Sequence, residues 1–441
     1  MLKIVSWRSI GMATCSFGTV LFSIALIKLA ENRSEANNVP IPTGLDITNE
    51  YLLGWIWALL LCLVLLVLPV ANRTRIALLG IWIAKIATTL GFMLLYEAAY
   101  GLDAWLYYFT AVTGTDHVFA GNEYTGNTAI VDVIRFFLYF QPISYHASKV
   151  SFAFIGLAGS FAFYRAFVTY LGREDLRILV FLGLFPSILF WSSILGKDPI
   201  TYLGVGLYAV GVVDLLKNHR PRYLILLFGG IALASWIRVW YVVLLGVPLS
   251  IVFLFDRRIR TVTLGVIPVV IALGVLFAAK IEDILLTYGL SLSLDVLQTL
   301  ENVGTTFAND ASATIGTPPD LSSLSSLLLS LPYAIVAMLF RPLPGEVMNP
   351  FGLLVGIENL GILFLFWRAV RNFSYKNIDS VLIWALLYVL GWAAFHGLII
   401  LNFGSSVRFR LNMLPLLIGP LAYLAFWHFG NRATPKSGRS R

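Results

Sequence analysis

Phe185-Pro-Ser-Ile-Leu-Phe-Trp-Ser-Ser-Ile-Leu-Gly-Lys-Asp198 ends one apolar run and leads, through Pro199, directly into another. The first run begins near 175 and the second continues to about 216, with a turn of only three or four residues between them. Runs of about 20 apolar residues match the ~30 Å hydrocarbon core of a bilayer. Inside that core every backbone N–H and C=O must be satisfied within the chain, so such runs form helices. Two helices joined by a tight polar turn are the repeating unit of a polytopic membrane protein.

The composition agrees with that unit. Hydrophobic residues make up 59% of the 441 and charged residues 12%, and mean hydropathy is +0.83. The sequence predicts an all-α chain with twelve spans, near 9–29, 51–71, 76–98, 147–170, 175–194, 199–216, 222–237, 239–255, 261–280, 350–368, 379–400 and 411–428. The connections Asn72–Arg75, Gly172–Asp175, Lys217–Arg222, Asp256–Arg260 and Arg368–Lys376 are basic, as is the tail from Asn431. The positive-inside rule therefore places both termini in the cytoplasm. Leu321–Phe340 is apolar enough to cross, but counting it would move Arg368, Arg371 and Lys376 outside, so it is expected to be re-entrant or interfacial.

Lys3 and Arg8 before an apolar run of span length mark a signal anchor. Cys15 and Cys62 both fall in spans and suggest neither disulfide nor metal site. The net charge of +8 follows from the basic inner connections and gives no reason to expect nucleic acid as a partner. Outer segments are expected at 30–50, 99–146 and 281–349. The second holds two apolar-aromatic stretches, Leu102–Val112 and Ile130–Phe140, suited to helices lying in the head-group layer.

Topology does not explain Lys197, Arg238, Arg341, Arg408 and Arg410, which fall on outward turns. Any one of them is read equally well as a snorkelling anchor. As a set they suggest a site for an anionic head group. Arg408 and Arg410 would share a pocket if their turn is extended, since alternate residues then lie on one face.

A span, an outer loop with two juxtamembrane helices, six more spans and a second large outer loop resemble the GT-C glycosyltransferases. The resemblance divides the chain into an N-terminal hairpin (1–75), a catalytic module (76–349, with loops 99–146 and 281–349) and C-terminal helices with a cytoplasmic tail (350–441). Phe185–Asp198 and Arg408-Phe-Arg-Leu-Asn-Met-Leu-Pro415 are similar to stretches of bacterial envelope sugar transferases and polymerases. Asp103, in Tyr100-Gly-Leu-Asp-Ala-Trp-Leu-Tyr-Tyr108, stands where the family carries an acid at the start of its first large loop. It departs from branches that carry an Asp-Glu pair.

The resemblance implies transfer of a sugar from a polyprenyl phosphate or diphosphate to a glycan, lipid or protein acceptor, at the extracytoplasmic face of a bacterial inner membrane. Inverting transfer to a hydroxyl needs a carboxylate base. Asp103 is the first candidate and Asp198 the second. Arg238, Arg341, Arg408, Arg410 and Lys197 would meet the phosphate charge. Glu346 would orient Arg341 or bind acceptor hydroxyls, and His146 is an outer-face alternative to a carboxylate, with His117 weaker. Glu97 is expected to line the same cavity. Glu358, within a span, is expected to pair with Lys85 or His396. No clustered metal ligands appear, so no cofactor is expected. Two further readings remain: a polymerase or ligase acting on a diphosphate-linked oligosaccharide, and a transporter or flippase for a lipid-linked sugar.

Overall fold

The computed structural model describes residues 47–100, 103–114, 126–255, 323–374, 378–400 and 402–431. The expected spans at 9–29 and 261–280, Cys15, His117 and the loop interior at 282–320 lie outside these residues. Every regular element among them is helical: α1 (Ile47–Val67), α2 (Asn72–Ala87), α3 (Met93–Tyr100), α4 (Ala104–Thr113), α5 (Gly126–Leu138), α6 (Tyr145–Leu171), α7 (Leu176–Leu184), α8 (Pro186–Trp191), α9 (Lys197–Asn218), α10 (Leu224–Ile237), α11 (Tyr241–Phe255), α12 (Leu324–Phe340), α13 (Pro350–Arg371), α14 (Ser380–Ile399), α15 (Phe403–Arg410) and α16 (Leu414–Asn431).

Among the described residues six helices are long and apolar enough to cross a membrane: Asn49–Val67, Asn72–Ala98, Tyr145–Leu171, Lys197–Asn218, Pro350–Arg371 and Ser380–Ile399. Two expected spans are broken instead. The run at 175–194 divides at Phe185, whose φ of −60° and ψ of 120° are extended, because Pro186 excludes the α conformation from the residue before it. The run at 411–428 is the second arm of a pair, α15 and α16, bent by 68°. Pro221–Ile237 and α11 are short apolar helices, as their lengths in the sequence suggested, and α12 is a third.

Caps fix where the long helices start and stop. Ser144 opens α6 by accepting a hydrogen bond from the Ala147 N–H at 3.2 Å, and Gly172 closes it with φ 68°. Asp379 and Asn349 cap α14 and α13 in the same way.

α9 is the most enclosed of these six, with 89% of its apolar stretch buried between α6, α10 and their neighbours. Glycine makes that enclosure possible. A Cβ on Gly230 of α10 would stand 2.4 Å from the Tyr208 nitrogen and 2.5 Å from the Gly204 carbonyl oxygen of α9. In an apolar medium such close backbone approach supplies the dispersion contact that drives helix association. Tyr208 and Trp384 tie α9 to α14 across the core through an indole N–H donating to the phenol at 2.8 Å.

The two ends of the described helices differ in character. At one end the start of α1 meets the start of α6, where Tyr145 N–H donates to the Glu50 carboxylate at 3.0 Å. At the other, the basic connections gather: Arg73 and Arg173 border one cleft, and Lys217 pairs with Asp379 at 2.8 Å. The unexplained cations lie at the first end.

Candidate functional site

Asp198 is the centre of the site. It stands in the first turn of α9, where the helix dipole favours a carboxylate. One oxygen accepts from Nη2 of Arg238 at 2.9 Å and the other from Nε of Arg408 at 2.5 Å. These partners are 40 and 210 residues away in the chain. Arg238 is presented in extended conformation between α10 and α11, and Arg408 in the last turn of α15. The Asp198 side chain has no exposure, against 5% for Arg238 and 25% for Arg408. Burial of a charged pair is expensive unless every group is met, and here a second layer meets them.

Arg238 Nη1 donates to the Tyr241 hydroxyl at 2.8 Å, and Asn412 Nδ2 donates to the same oxygen at 3.0 Å and to Thr201 Oγ1 at 3.2 Å. The Arg238 guanidinium also lies 4.2 Å above the Phe409 ring. Phe409 continues into a stack with His396 (5.0 Å) and Trp392 (4.6 Å between the last two). The guanidinium is thus clamped on one face and hydrogen-bonded at its edge.

The accessible side is formed differently. The Arg408 guanidinium carbon lies 5.8 Å from the Trp191 ring centre, and it is Nε that donates to Asp198. Lys197 adjoins it, and a Cβ on Gly126 would stand 3.5 Å from Lys197 Cε and 2.2 Å from the Ile237 carbonyl oxygen. The start of α5 therefore closes directly over the Lys197–Arg238 edge. Asp103 opens α4, and its charge, with those of Arg408, Asp198 and Arg238, acts on both Tyr107 and Lys197. Among the described residues neither the Asp103 carboxylate nor the Lys197 ammonium makes a side-chain hydrogen bond or ion pair. Tyr107, four residues after Asp103, donates to Asn127 Oδ1 at 3.0 Å. Burial, with the Asp103 charge second, raises its phenol well above the ordinary value, so it stays a neutral donor.

Several expected residues fall elsewhere. Asp198 does not suit the role of base: both oxygens are engaged by guanidinium groups and no surface is accessible, so it positions cations. Arg410 does not share a pocket with Arg408. Their segment is helical, which turns residues two apart to different sides. Arg410 is 2% exposed and donates to Asn359 Oδ1 at 2.9 Å and the Leu339 carbonyl at 3.4 Å. Arg341 forms a separate group. Its Nη2 pairs with Glu346 at 2.6 Å and its Nη1 donates to Tyr333, while its guanidinium lies 5.4 Å from the Phe403 ring. Glu346 does orient Arg341. The two groups are linked through α15, which offers Phe403 to Arg341 and Arg408 to Asp198.

His146 is buried edge-on to Tyr51 at 5.1 Å, and its Nδ1 has no hydrogen-bond partner among the described residues. It does not line the accessible side. Glu97 pairs with Lys149 at 2.7 Å rather than with the cluster. Glu358 pairs with neither Lys85 nor His396; its carboxylate accepts from the Ser187 N–H at 2.7 Å and from the Ser187 hydroxyl. Lys85 instead donates to Ser192 Oγ at 2.6 Å, the Ser192 carbonyl at 3.1 Å and Ser193 Oγ at 3.2 Å. That holds the unwound turn between Trp191 and Lys197 from below.

Tyr107, Asn127, Trp191, Tyr241, Phe409 and Asn412 were not singled out in the sequence. Tyr107 had a signal, since it follows Asp103 by four residues on one helical face. The others gain meaning only from distant partners. Among the described residues no group of three or more His, Cys, Asp or Glu could hold a metal ion. Comparison with family models, curated proteins and solved structures returns no match.

Proposed function

We propose that the chain is a membrane glycosyltransferase that takes a sugar from a polyprenyl-phosphate carrier, with the Asp198 end of the bundle facing the extracytoplasmic side of a twelve-span topology. The observation that supports it is one neighbourhood holding Asp103, Lys197, Arg408 and Arg238 around the buried Asp198. Its accessible cations suit a phosphate, and the Asp103 carboxylate, without a hydrogen bond or ion pair among the described residues, suits a base. A plain membrane anchor would need no buried counter-ion holding two guanidinium groups in register.

In this reading Asp103 takes the proton of an acceptor hydroxyl as its oxygen bonds to the anomeric carbon. The bond from that carbon to the phosphate oxygen breaks, and the electron pair leaves with the phosphate. Arg408 and Lys197 meet the charge that grows there. Asp198 and Arg238 keep Arg408 aimed, so it loses no orientational freedom when donor binds. Tyr107 and Asn127 would border the acceptor side. The basic connections at the opposite end support the orientation.

The test is a purified transfer assay with a polyprenyl-phosphate sugar, alongside donor binding. Asp103→Asn is expected to abolish transfer while donor affinity stays within about twofold; full activity would reject Asp103 as base. Arg408→Ala is expected to weaken donor affinity by roughly tenfold or more, the worth of a charge-assisted contact. Unchanged affinity would remove the phosphate role, and uptake or lipid translocation without transfer would point to a carrier.

A further inference from the structure

The end of the molecule opposite Asp198 carries a cleft of about 400 Å³ bordered by Arg73, Arg173, Glu174, Asp175, Leu176 and Arg177. Three guanidinium groups and two carboxylates meet there, but they are not equivalent. Arg177 is committed to Asp175 at 2.6 Å, and Glu174 lies 3.6 Å from Arg165. Arg75, two residues from Arg73, turns back to Asn72 at 2.8 Å and to the Leu68 carbonyl at 2.9 Å. Arg73 and Arg173, from two different segments, make no hydrogen bond or ion pair among the described residues. The cleft therefore has a local surplus of two cations after internal pairing.

What lies one turn deeper separates this cleft from an ordinary basic surface. Ile76 on α2 is 69% exposed, and Val180 and Phe181 on α7 are 39% and 45% exposed. The two helices are packed together, with Ile81 against Gly183 further down. Arg73 and Arg173, neither held in a hydrogen bond or ion pair among the described residues although the Arg173 charge is felt by Asp175, stand above exposed apolar side chains and match an amphiphile, with its anionic head at the cleft and its chains along α2 and α7.

We propose that Arg73 and Arg173 form a binding site for the phosphodiester head group of an anionic phospholipid in the leaflet at that end. Guanidinium forks suit phosphate oxygens, and each basic group near a membrane surface adds to the attraction for anionic lipid. The site is independent of the transferase reading, because it shares no residue with the Asp198 cluster.

The protein in detergent would be titrated with phosphatidylglycerol and phosphatidylcholine and followed by native mass spectrometry. The expected result is a roughly tenfold preference for phosphatidylglycerol. Arg73→Ala with Arg173→Ala should remove the preference, and Arg73→Lys with Arg173→Lys should keep most of it. Arg177→Ala should leave it intact. No preference in the parent protein, or a preference surviving the double alanine change, would overturn the proposal. Millimolar inorganic phosphate or glycerol phosphate provides the second arm. If these bind while the lipid does not, the cleft is a soluble-anion site and the lipid assignment fails. All three variants alter exposed side chains, and a thermal melt in the same detergent confirms folding.

Discussion

The Asp198 cluster and the Arg341–Glu346 turn use the same chemistry, guanidinium against carboxylate, at opposite extremes of burial. In the first, the acid has no exposure, and two arginines from distant segments close on it. In the second, both partners are 26% exposed, lie five residues apart and belong to one turn. The difference teaches that an ion pair specifies tertiary structure only when its members come from different elements and water is excluded. The exposed pair orders a turn, whereas the buried one fixes the relation of α9, the α10–α11 turn and α15.

Asp198→Ala should break that contrast most severely. It leaves two buried or half-buried guanidinium groups facing each other, and loss of one partner of a buried pair costs ~3–5 kcal/mol. A thermal melt in detergent should show a large fall, and a change within error would make the cluster a surface feature. Next comes Arg410→Met, which strands the Asn359 amide oxygen and costs ~1–3 kcal/mol, with donor affinity affected less than in Arg408→Ala. The opposite ranking of the two arginines in a binding assay would return Arg410 to the site.

Lys85→Met is expected to be milder, about 1 kcal/mol, because Ser192 and Ser193 also donate to the Ile188 and Leu189 carbonyls and keep partners without it. A collapse of stability would mean that the lysine holds the Trp191–Lys197 turn alone. Smallest of all is Glu346→Gln, under ~1 kcal/mol for a partly exposed pair. Burial raises the Glu346 carboxyl, but the Arg341 side chain and the Leu343 N–H outweigh it and hold it below the ordinary value. Its contribution is therefore complete above the usual glutamate range and lost as pH falls through the lowered folded value. A melt series from neutral to acidic pH should show this small loss in the parent and not in the variant. Equal acid sensitivity in both would place the titration elsewhere.

Much of this was legible in the sequence, for a simple reason. Apolar runs and their basic flanks report directly on bilayer partition, so α6, α9, α13 and α14 lie close to their expected positions. The Pro186 break was written in the sequence as well, although an apolar run on both sides hid it. Charges on turns marked Lys197, Arg238 and Arg408, but spacing could not reveal that Asp198 lies beneath them rather than beside a substrate. The divergence of Arg408 and Arg410 depended on whether their segment was extended or helical. Asn402 decides that by capping α15 through its side-chain oxygen on the Gly404 N–H at 2.8 Å. Asn412 and Tyr241 carried no local signal, since their role consists of contacts to residues up to 211 positions away.

The long sequence separation between Asp198 and Arg408 has a consequence for biogenesis. A ribosome delivers residue 198, then residue 238, and only later residue 408 to the insertion machinery. At ~5–20 residues per second that last interval lasts on the order of ten seconds or more. Throughout it a half-neutralised acid waits at the head of α9, a nascent state that quality-control proteases or insertion chaperones can distinguish from the finished protein. Chains stopped before α15 should therefore be cleared rapidly, even with most of their hydrophobic helices already inserted.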